Sequence, residues 1–247
     1  MIPSLEVLTE ASGVMVVAKP AGLPTQAPPG IDSVENRVRS LLVTRAGPGT
    51  AAPYLGVPHR LDRAVSGVLL FATTPRAARK LSRQFERREV SKTYLAILVP
   101  ADVAQLPPTI GTPPAEWRDW IEKVPNEPRA RCVEPSDTAA AKEAVTRAQM
   151  LGRVAGDRIA VQLEPLTGRM HQLRLQAACR GLPVAGDELY GGPAGISGTV
   201  ADDPRARPIA LHASRIRYLD PDTGEPVTRE APLPDWWPAI DTSRQNE

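Results

Sequence analysis

The segment PHRLDRAVSGVLLFA, residues 58–72, joins a polar loop directly to a run of apolar residues. Residues 68–73 are short and continuously apolar, which is typical of a buried strand. The loop before them carries His59, Arg60 and Asp62, so a carboxylate lies at the edge of a sheet on a rigid support. Such a position suits a catalytic group, while an ion pair between Asp62 and a neighbouring arginine is the alternative interpretation.

Strands and helices are predicted on both sides of this segment. Short apolar or alternating runs predict strands at residues 5–9, 14–18, 93–99, 144–150 and 158–164, and a closing hairpin over 208–219 and 226–231. Helices are predicted after the capping residues Asp32 and Ser33, from Thr74-Pro75 onward, and over 170–179. Residues 100–142 are rich in proline and weakly patterned, so no element is predicted there. The chain is therefore predicted to be α+β, with strands in the majority.

The composition is that of an ordinary globular protein. The chain has 247 residues, two cysteines and a formal net charge of +2. This length fits one domain, and we expect residues 1–247 to form a single domain. The apolar runs are too short to span a bilayer and no secretory signal is visible, so we expect a cytoplasmic protein with no membrane partner. The two thiols are expected to be ordinary buried or half-buried groups, because so few cysteines build neither a disulfide framework nor a typical zinc site.

Several segments together resemble the RluA family of pseudouridine synthases. HRLD at residues 59–62 is similar to the family's central motif. Five further blocks follow the family's order, namely VVAKPAGL at 16–23, SKTYLA at 91–96, LTGRMHQLR at 166–174, LPVAGDELYG at 182–191 and LHA at 211–213. The resemblance runs from about residue 5 to residue 235. It implies a pseudouridine synthase core, with a long mixed, mostly antiparallel sheet in two halves, flanking helices and a central catalytic cleft.

The resemblance also implies an activity and its residues. The expected reaction is isomerisation of a flipped-out uridine in ribosomal or transfer RNA, with neither a metal nor an organic cofactor. Asp62 corresponds to the catalytic carboxylate, as nucleophile or as base. Arg174 corresponds to its guanidinium partner, with Arg169 as the substitute, and Tyr94 is expected against the uracil. Arg60, His59 and Arg169 are expected to bind the RNA substrate, and His59 also to position the loop.

Three positions depart from the family's usual pattern. Ala64-Val65 stand where an acidic or polar residue and a threonine are common, Met170 replaces threonine or serine, and Gln176 replaces histidine. These departures bear on the identity of the RNA more than on activity. The S4-like RNA-binding module that some members carry at the N-terminus is not expected in this chain, and the protein is expected to be a monomer.

A basic run over residues 79–92 is the candidate RNA-binding surface. It contains Arg79, Lys80, Arg83, Arg87, Arg88 and Lys92 against two glutamates. Phosphate contacts by such residues are sequence-independent, and Arg87 and Arg88 are the substrate-binding candidates. A solvated helix face is the alternative interpretation.

Three other functions remain open from the residues alone. A catalytically inactive RNA-binding protein of the same fold is the main alternative, although the presence of both Asp62 and Tyr94 argues against it. A hydrolase triad of Ser66, His59 and Asp62 would lack a nucleophile elbow. A metal site built from Asp62 and the three histidines, His59, His171 and His212, would need a convergence that the sequence does not show.

Overall fold

The computed structural model describes residues 5–100, 114–136, 139–194, 196 and 203–241. The chain forms two compact units. The first unit contains Met1–Lys92, Ala201–Pro208 and Ala213–Pro234, and the second contains Thr93–Val200, Ile209–His212 and Asp235–Glu247. The polypeptide therefore passes several times from one unit to the other. The expectation of a single domain stays a prediction.

Strands dominate the secondary structure of the described residues. The strands are β1 (Glu6–Ala11), β2 (Val14–Lys19), β3 (Ser66–Ala72), β4 (Ser91–Leu98), β5 (Ala115–Lys123), β6 (Ala130–Val133), β7 (Lys142–Val154), β8 (Arg158–Pro165), β9 (Leu211–Leu219) and β10 (Pro226–Glu230). The helices are α1 (Val34–Ala46), α2 (Pro75–Glu86) and α3 (Gln172–Ala178), with short 3-10 turns at Glu188–Tyr190 and Pro204–Ala206.

The sheet of the first unit has the order β1-β2-β3-β9-β10. Strand β3 is buried along its whole length, as its continuously apolar sequence predicts. Gly67 on β3 has φ 122°, and a Cβ atom built there would lie 2.2 Å from the carbonyl oxygen of Ala213 on β9. Only glycine permits this close approach of two backbones.

Helix α2 begins as the sequence predicts. The Thr74 hydroxyl accepts a hydrogen bond from the Ala77 N–H at 3.1 Å, and Pro75 occupies the first turn, where no N–H donor is needed. Ala77, Leu81 and Gln84 are its buried residues. Gln84 binds both the N–H and the carbonyl of Leu219, each at 2.8 Å, so α2 is fixed to the end of β9.

The sheet of the second unit has the order β4-β8-β7-β5-β6, and all of these pairs are antiparallel. Helix α3 packs against it, with Leu175 in a cluster that includes Ile121 and Ala144. The Gln176 amide binds three acceptors on β5 and β7: the carbonyls of Trp117 and Ala144, and the Asp119 carboxylate at 2.7 Å. This buried amide therefore joins the helix to two strands.

The α+β fold with a long, mostly antiparallel sheet is confirmed. The predicted strands, helices and closing hairpin form within a few residues of their expected bounds. Strands β5 and β6 lie in the segment for which no element was predicted, and residues 101–113 of that segment lie outside the described residues. The central cleft stays a prediction. Within the described part of the chain, no helix is long and apolar enough to cross a membrane.

Candidate active site

Asp62 lies in the loop that leads into β3, and a buried lysine holds this loop. Lys19, the last residue of β2, is only 2% exposed. Its Nζ donates hydrogen bonds to the carbonyl oxygens of Pro20 at 2.9 Å, Arg63 at 3.2 Å and Val65 at 2.7 Å. An ammonium group has three N–H donors, so these three acceptors satisfy it. Two of the three carbonyls belong to Arg63 and Val65, which lie shortly after Asp62 in the chain.

The segment after Lys19 holds the same loop from a second side. The Thr25 hydroxyl donates to the carbonyl of Leu61 at 2.9 Å and accepts from the Leu61 N–H at 3.1 Å. The Gly22 N–H donates to the Arg63 carbonyl at 2.8 Å, and the Arg63 Nε donates back to the Gly22 carbonyl at 2.8 Å. The residues on both sides of Asp62 are thus fixed through their backbone.

Charge also links Lys19 to Asp62. Burial lowers the pKa of Lys19 to about 7, the nearby Asp62 carboxylate opposes this shift, and Arg63 adds to it. Arg63 is itself paired with Asp203 at 2.7 Å. The surroundings of Asp62 therefore include two basic side chains, each of which is fixed by its own hydrogen bonds.

His59 is built into the unit as a neutral ring. Its Nε2 accepts a hydrogen bond from the Leu70 N–H at 3.0 Å, and its ring stacks on Phe85 of α2 at 4.9 Å between centroids. Burial, together with the nearby Lys92 charge, lowers the pKa of His59 to about 3. Because its Nε2 is an acceptor for the backbone, His59 joins the Asp62 loop to β3 and α2. Its predicted contact with substrate stays a prediction.

The basic residues of the first unit differ in exposure. Arg60 is exposed beside Asp62, and Arg87 and Arg88 are exposed where α2 ends. Arg87 lies 4.0 Å from Glu89, and Arg88 adopts a left-handed φ of 59° that turns the chain toward β4. Lys92 differs from the rest of the basic run, because it is half-buried and burial lowers its pKa. The exposed basic residues of the run are Arg79, Lys80, Arg83, Arg87 and Arg88.

In the second unit, a buried carboxylate holds Arg174 of α3. Nε and Nη2 of Arg174 donate to the two carboxylate oxygens of Asp187, both at 2.7 Å. The guanidinium also lies over the Tyr190 ring, 5.2 Å from its centroid. Such a bidentate pair restricts the guanidinium in orientation as well as position. Asp187 and Tyr190 belong to the GDELY motif, and no role is apparent for them from the sequence alone.

Arg169 and His171 are fixed in the turn that precedes α3. The Arg169 Nε donates to the Glu143 carbonyl at 2.9 Å, and its N–H donates to the Gln172 side-chain oxygen at 3.0 Å. His171 has a left-handed φ of 51°, and its Nδ1 lies 2.9 Å from the Tyr190 hydroxyl. Tyr190 thus contacts both His171 and the Arg174 guanidinium. These contacts order the TGRMHQLR block around Arg174.

Tyr94 is the third predicted catalytic residue. It lies in β4 opposite Leu163 of β8 and is 8% exposed. The structure therefore places Asp62, His59, Arg60, Arg87 and Arg88 in the first unit, and Tyr94, Arg169 and Arg174 in the second. Their common action on one substrate stays a prediction.

The alternative sites gain no support from the described residues. No group of three or more histidine, cysteine, aspartate and glutamate side chains within them could hold a metal ion. His212 is buried against Trp237, and Nε2 of His59 accepts a hydrogen bond from the Leu70 N–H. Ser66, the proposed nucleophile of a hydrolase triad, is 3% exposed at the start of β3.

A family model described as RNA pseudouridylate synthase matches residues 13–179. The chain is 34% identical over 236 residues to the dual-specificity RNA pseudouridine synthase RluA of Haemophilus influenzae, covering 93% of each chain. It is 36% identical over 225 residues to the RluA enzyme of Yersinia pestis, covering 90% of this chain and 95% of the relative. It is also 34% identical to the ribosomal large subunit pseudouridine synthase D of Xanthomonas campestris. That match includes 94% of this chain but only 66% of the relative.

A solved structure has a similar fold. The human RNA pseudouridylate synthase domain containing 1 matches with a TM-score of 0.70 and 26% identity, over 97% of this chain and 92% of the human one. The matched family region contains the Asp62 loop, Tyr94 and Arg174, and ends at Cys179.

Proposed function

The chain belongs to the RNA pseudouridylate synthase family and is an RNA pseudouridine synthase, and from this premise we propose that it modifies ribosomal or transfer RNA with Asp62 as its catalytic carboxylate. The names of the relatives support this substrate class, since they include a ribosomal large subunit enzyme and dual-specificity enzymes. The monomeric state and the cytoplasmic location stay predictions.

The proposed role of Asp62 follows from what the reaction requires. Pseudouridine formation breaks a C–N glycosidic bond, turns the base and forms a C–C bond, without a redox change or the loss of a group. An ionised carboxylate serves as a nucleophile or as a base on the ribose. The observation that carries the proposal is the loop of Asp62, whose backbone is fixed on both sides by Lys19 and Thr25. A fixed loop delivers the carboxylate in one orientation.

We assign supporting roles to two residues of the second unit. Arg174 is assigned as the guanidinium partner of Asp62, and the bidentate pair with Asp187 holds its guanidinium in one orientation. Tyr94 presents a ring face against which a flipped uracil stacks, and a hydroxyl suited to proton transfer at the carbon that becomes bonded. Its position in a β-strand, rather than in a loop, supports a fixed stacking surface.

RNA contacts are assigned to exposed or half-buried cations. Arg60 contacts the RNA next to Asp62 or fills the space that the extruded base leaves. Arg87 and Arg88 contact phosphates, and Arg169 contacts the substrate from the turn before α3. His59 contributes by fixing the loop against β3 and α2. Phosphate contacts carry no sequence information, so RNA shape and the bases near the target uridine select the site.

Replacing Asp62 by asparagine tests the proposal. The amide keeps the shape of the side chain but is neither a base nor a good nucleophile, so we expect Asp62→Asn to abolish pseudouridine formation while it still folds and binds RNA. The measurement is nucleoside analysis of ribosomal and transfer RNA from a deletion strain after incubation with each variant. Asp222→Asn, at an exposed aspartate of the first unit that pairs with Arg76, is the matched control and should retain full activity.

The same measurement separates the competing functions. Wild-type turnover by Asp62→Asn would overturn the assigned role of this residue. RNA that the wild-type protein binds but leaves unchanged would favour the inactive RNA-binding protein. The class of RNA that gains pseudouridine identifies the substrate.

A further inference from the structure

Two cysteines that are far apart in sequence lie side by side in the second unit. Cys132 and Cys179 are separated by 47 positions, and their Sγ atoms are 2.6 Å apart. Cys132 lies on β6 opposite Ile121 of β5, and Cys179 is the residue at which α3 ends. Both cysteines are thus attached to regular elements, and the contact between β6 and α3 brings them together.

The environments of the two thiols differ in a way that gives them different chemical roles. Cys179 is exposed, whereas Cys132 is half-buried and packs against the cluster of Ile121 and Leu175. The hydrogen bond with Cys132 lowers the pKa of Cys179, and the same bond followed by burial raises the pKa of Cys132. Burial and the nearby Asp119 carboxylate oppose this lowering, whereas the Arg180 guanidinium, which is fixed by Asp119 at 2.8 Å, adds to it. An exposed thiolate is the form that reacts with a disulfide.

From this arrangement we propose that Cys132 and Cys179 form a thiol–disulfide exchange site that reacts with low-molecular-weight disulfides and closes a reversible cross-link between β6 and α3. Nothing in the pseudouridine synthase reaction uses these thiols, so the site is separate from the catalytic residues.

The reaction proceeds in two balanced steps. The Cys179 thiolate attacks one sulfur of the disulfide RSSR, forms a mixed disulfide and releases one thiolate, which takes up a proton as RSH. Cys132 then loses its proton and its sulfur attacks the Cys179 sulfur, which forms the internal S–S bond and releases a second thiolate that takes up this proton as RSH. Two electrons pass from the cysteine pair to RSSR, and the two thiol protons end on the two RSH molecules. Reduction by excess thiol reverses both steps.

The test uses oxidised glutathione as the disulfide and the full-length protein. After incubation in glutathione buffers of increasing oxidised fraction, remaining thiols are alkylated and the protein is digested with trypsin without reduction. We expect one cross-linked species that joins Cys132–Lys142 to Leu175–Arg180, because trypsin cuts after the lysines and arginines that bound these peptides. The effective concentration of one thiol at the other is obtained from the equilibrium of the internal disulfide with glutathione. In denaturant, where a flexible loop joins the two cysteines, this value should be only about millimolar. In the native protein it should be at least about tenfold higher.

Two single variants separate the roles of the thiols. Cys132→Ser should stop at the mixed disulfide, with one glutathione retained on Cys179, because no second thiol can displace it. Cys179→Ser should react at least about tenfold more slowly, because the remaining thiol is half-buried and holds its proton. Two results would overturn the proposal. One is a wild-type protein that keeps a glutathione adduct without the internal bond, and the other is an effective concentration no higher in the folded than in the denatured chain.

Discussion

At the scale of single residues, Lys19 shows how a buried charge is used to shape a loop. Its amino group donates to three backbone carbonyls in place of water, and two of them, those of Arg63 and Val65, lie shortly after Asp62 in the chain. A buried cation without such acceptors would be costly. The result is that the position of the Asp62 loop depends on a side chain in β2, more than forty positions earlier in the chain.

Replacing Lys19 by methionine tests this dependence. Methionine fills a similar volume but leaves the carbonyls of Pro20 and Val65 without this donor, so we expect the free energy of unfolding to fall by about 2–4 kcal/mol. Turnover should fall by about tenfold or more even where the variant is fully folded, because the Asp62 carboxylate is no longer held in one orientation. The measurements are urea unfolding and single-turnover pseudouridine formation at a temperature where the variant is folded.

Gln84→Leu is the matched control for Lys19→Met. It removes a buried side chain that binds the N–H and the carbonyl of Leu219, so it costs similar stability in the same unit without touching the Asp62 loop. Its turnover should stay near wild type. Equal losses of turnover in the two variants would show that Lys19 acts only through stability.

The buried, neutral ring of His59 should make the stability of the protein depend on pH. Its pKa of about 3 in the folded protein lies below the ordinary value of 6.5, so between these values the unfolded chain binds a proton that the folded protein does not. The contribution of His59 is therefore complete above pH 6.5 and is lost as the pH falls toward 3, by at most about 1.4 kcal/mol per pH unit. His59→Gln offers an acceptor near the Nε2 position but does not titrate, so its unfolding free energy should fall less steeply between pH 6.5 and 4. Identical slopes in urea unfolding series would contradict a neutral buried ring.

The sequence was informative about Asp62 because its motif is local, and less so about the residues that support it. A lysine at the end of a strand or an aspartate in a loop normally reads as a solvated side chain, so Lys19 and Asp187 carried no visible signal of burial. Their acceptors and donors come from residues that the fold brings near: Val65 for Lys19, and Arg174 for Asp187. Such pairs become visible only when the backbone path is known.

At the scale of elements, α2 combines a buried face with a basic exposed face. The double variant Arg87→Ala, Arg88→Ala should weaken binding to all RNAs alike, because phosphate contacts do not depend on sequence. The slope of log affinity against log salt should decrease by roughly one unit per lost contact. Turnover at saturating RNA should barely change. The measurement is RNA affinity across a salt series.

Arg39→Ala, Arg45→Ala on α1 is the matched control. It removes the same charge from another exposed helix of the first unit, where both arginines pair with glutamates. Its salt slope should remain near wild type if RNA contact is local to α2. If the salt slope changes equally in both double variants, RNA affinity depends on net charge alone. If it changes in neither, Arg87 and Arg88 do not contact RNA and belong to a solvated surface.

Strand β5 shows why no element was predicted for residues 100–142. Its inward positions include Trp117 and Ile121, but Asp119 lies between them, and the exposed side carries Trp120. This order breaks the apolar and polar alternation that identifies a strand. Asp119 is accommodated because the Gln176 amide and the Arg180 guanidinium bind it. Asp119 is therefore tolerated in this strand because of side chains from α3 and the residues after it, which a local sequence pattern does not reveal.

At the scale of the whole molecule, the family's blocks in their usual order were enough to predict the fold class, since each block falls on an element or turn of the sheet. The TGRMHQLR block forms the turn and start of α3, and the GDELY block supplies the 3-10 turn that holds Arg174. The spatial partners of these blocks could not be predicted, because they depend on how distant segments pair.

The interleaving of the two units limits how this gene could be shortened or recombined. A fragment that ends at Lys92 keeps β1, β2 and β3 but loses β9 and β10, which complete the same sheet. Gly67, which lies against the backbone of Ala213 in the whole chain, would then be at an exposed edge of β3. An exposed apolar edge strand can pair with another chain and lead to aggregation. A chimera whose crossover falls between Gly67 and Ala213 would take the two sides of this contact from different parents, so recombination within that interval should be tolerated less well than recombination outside it.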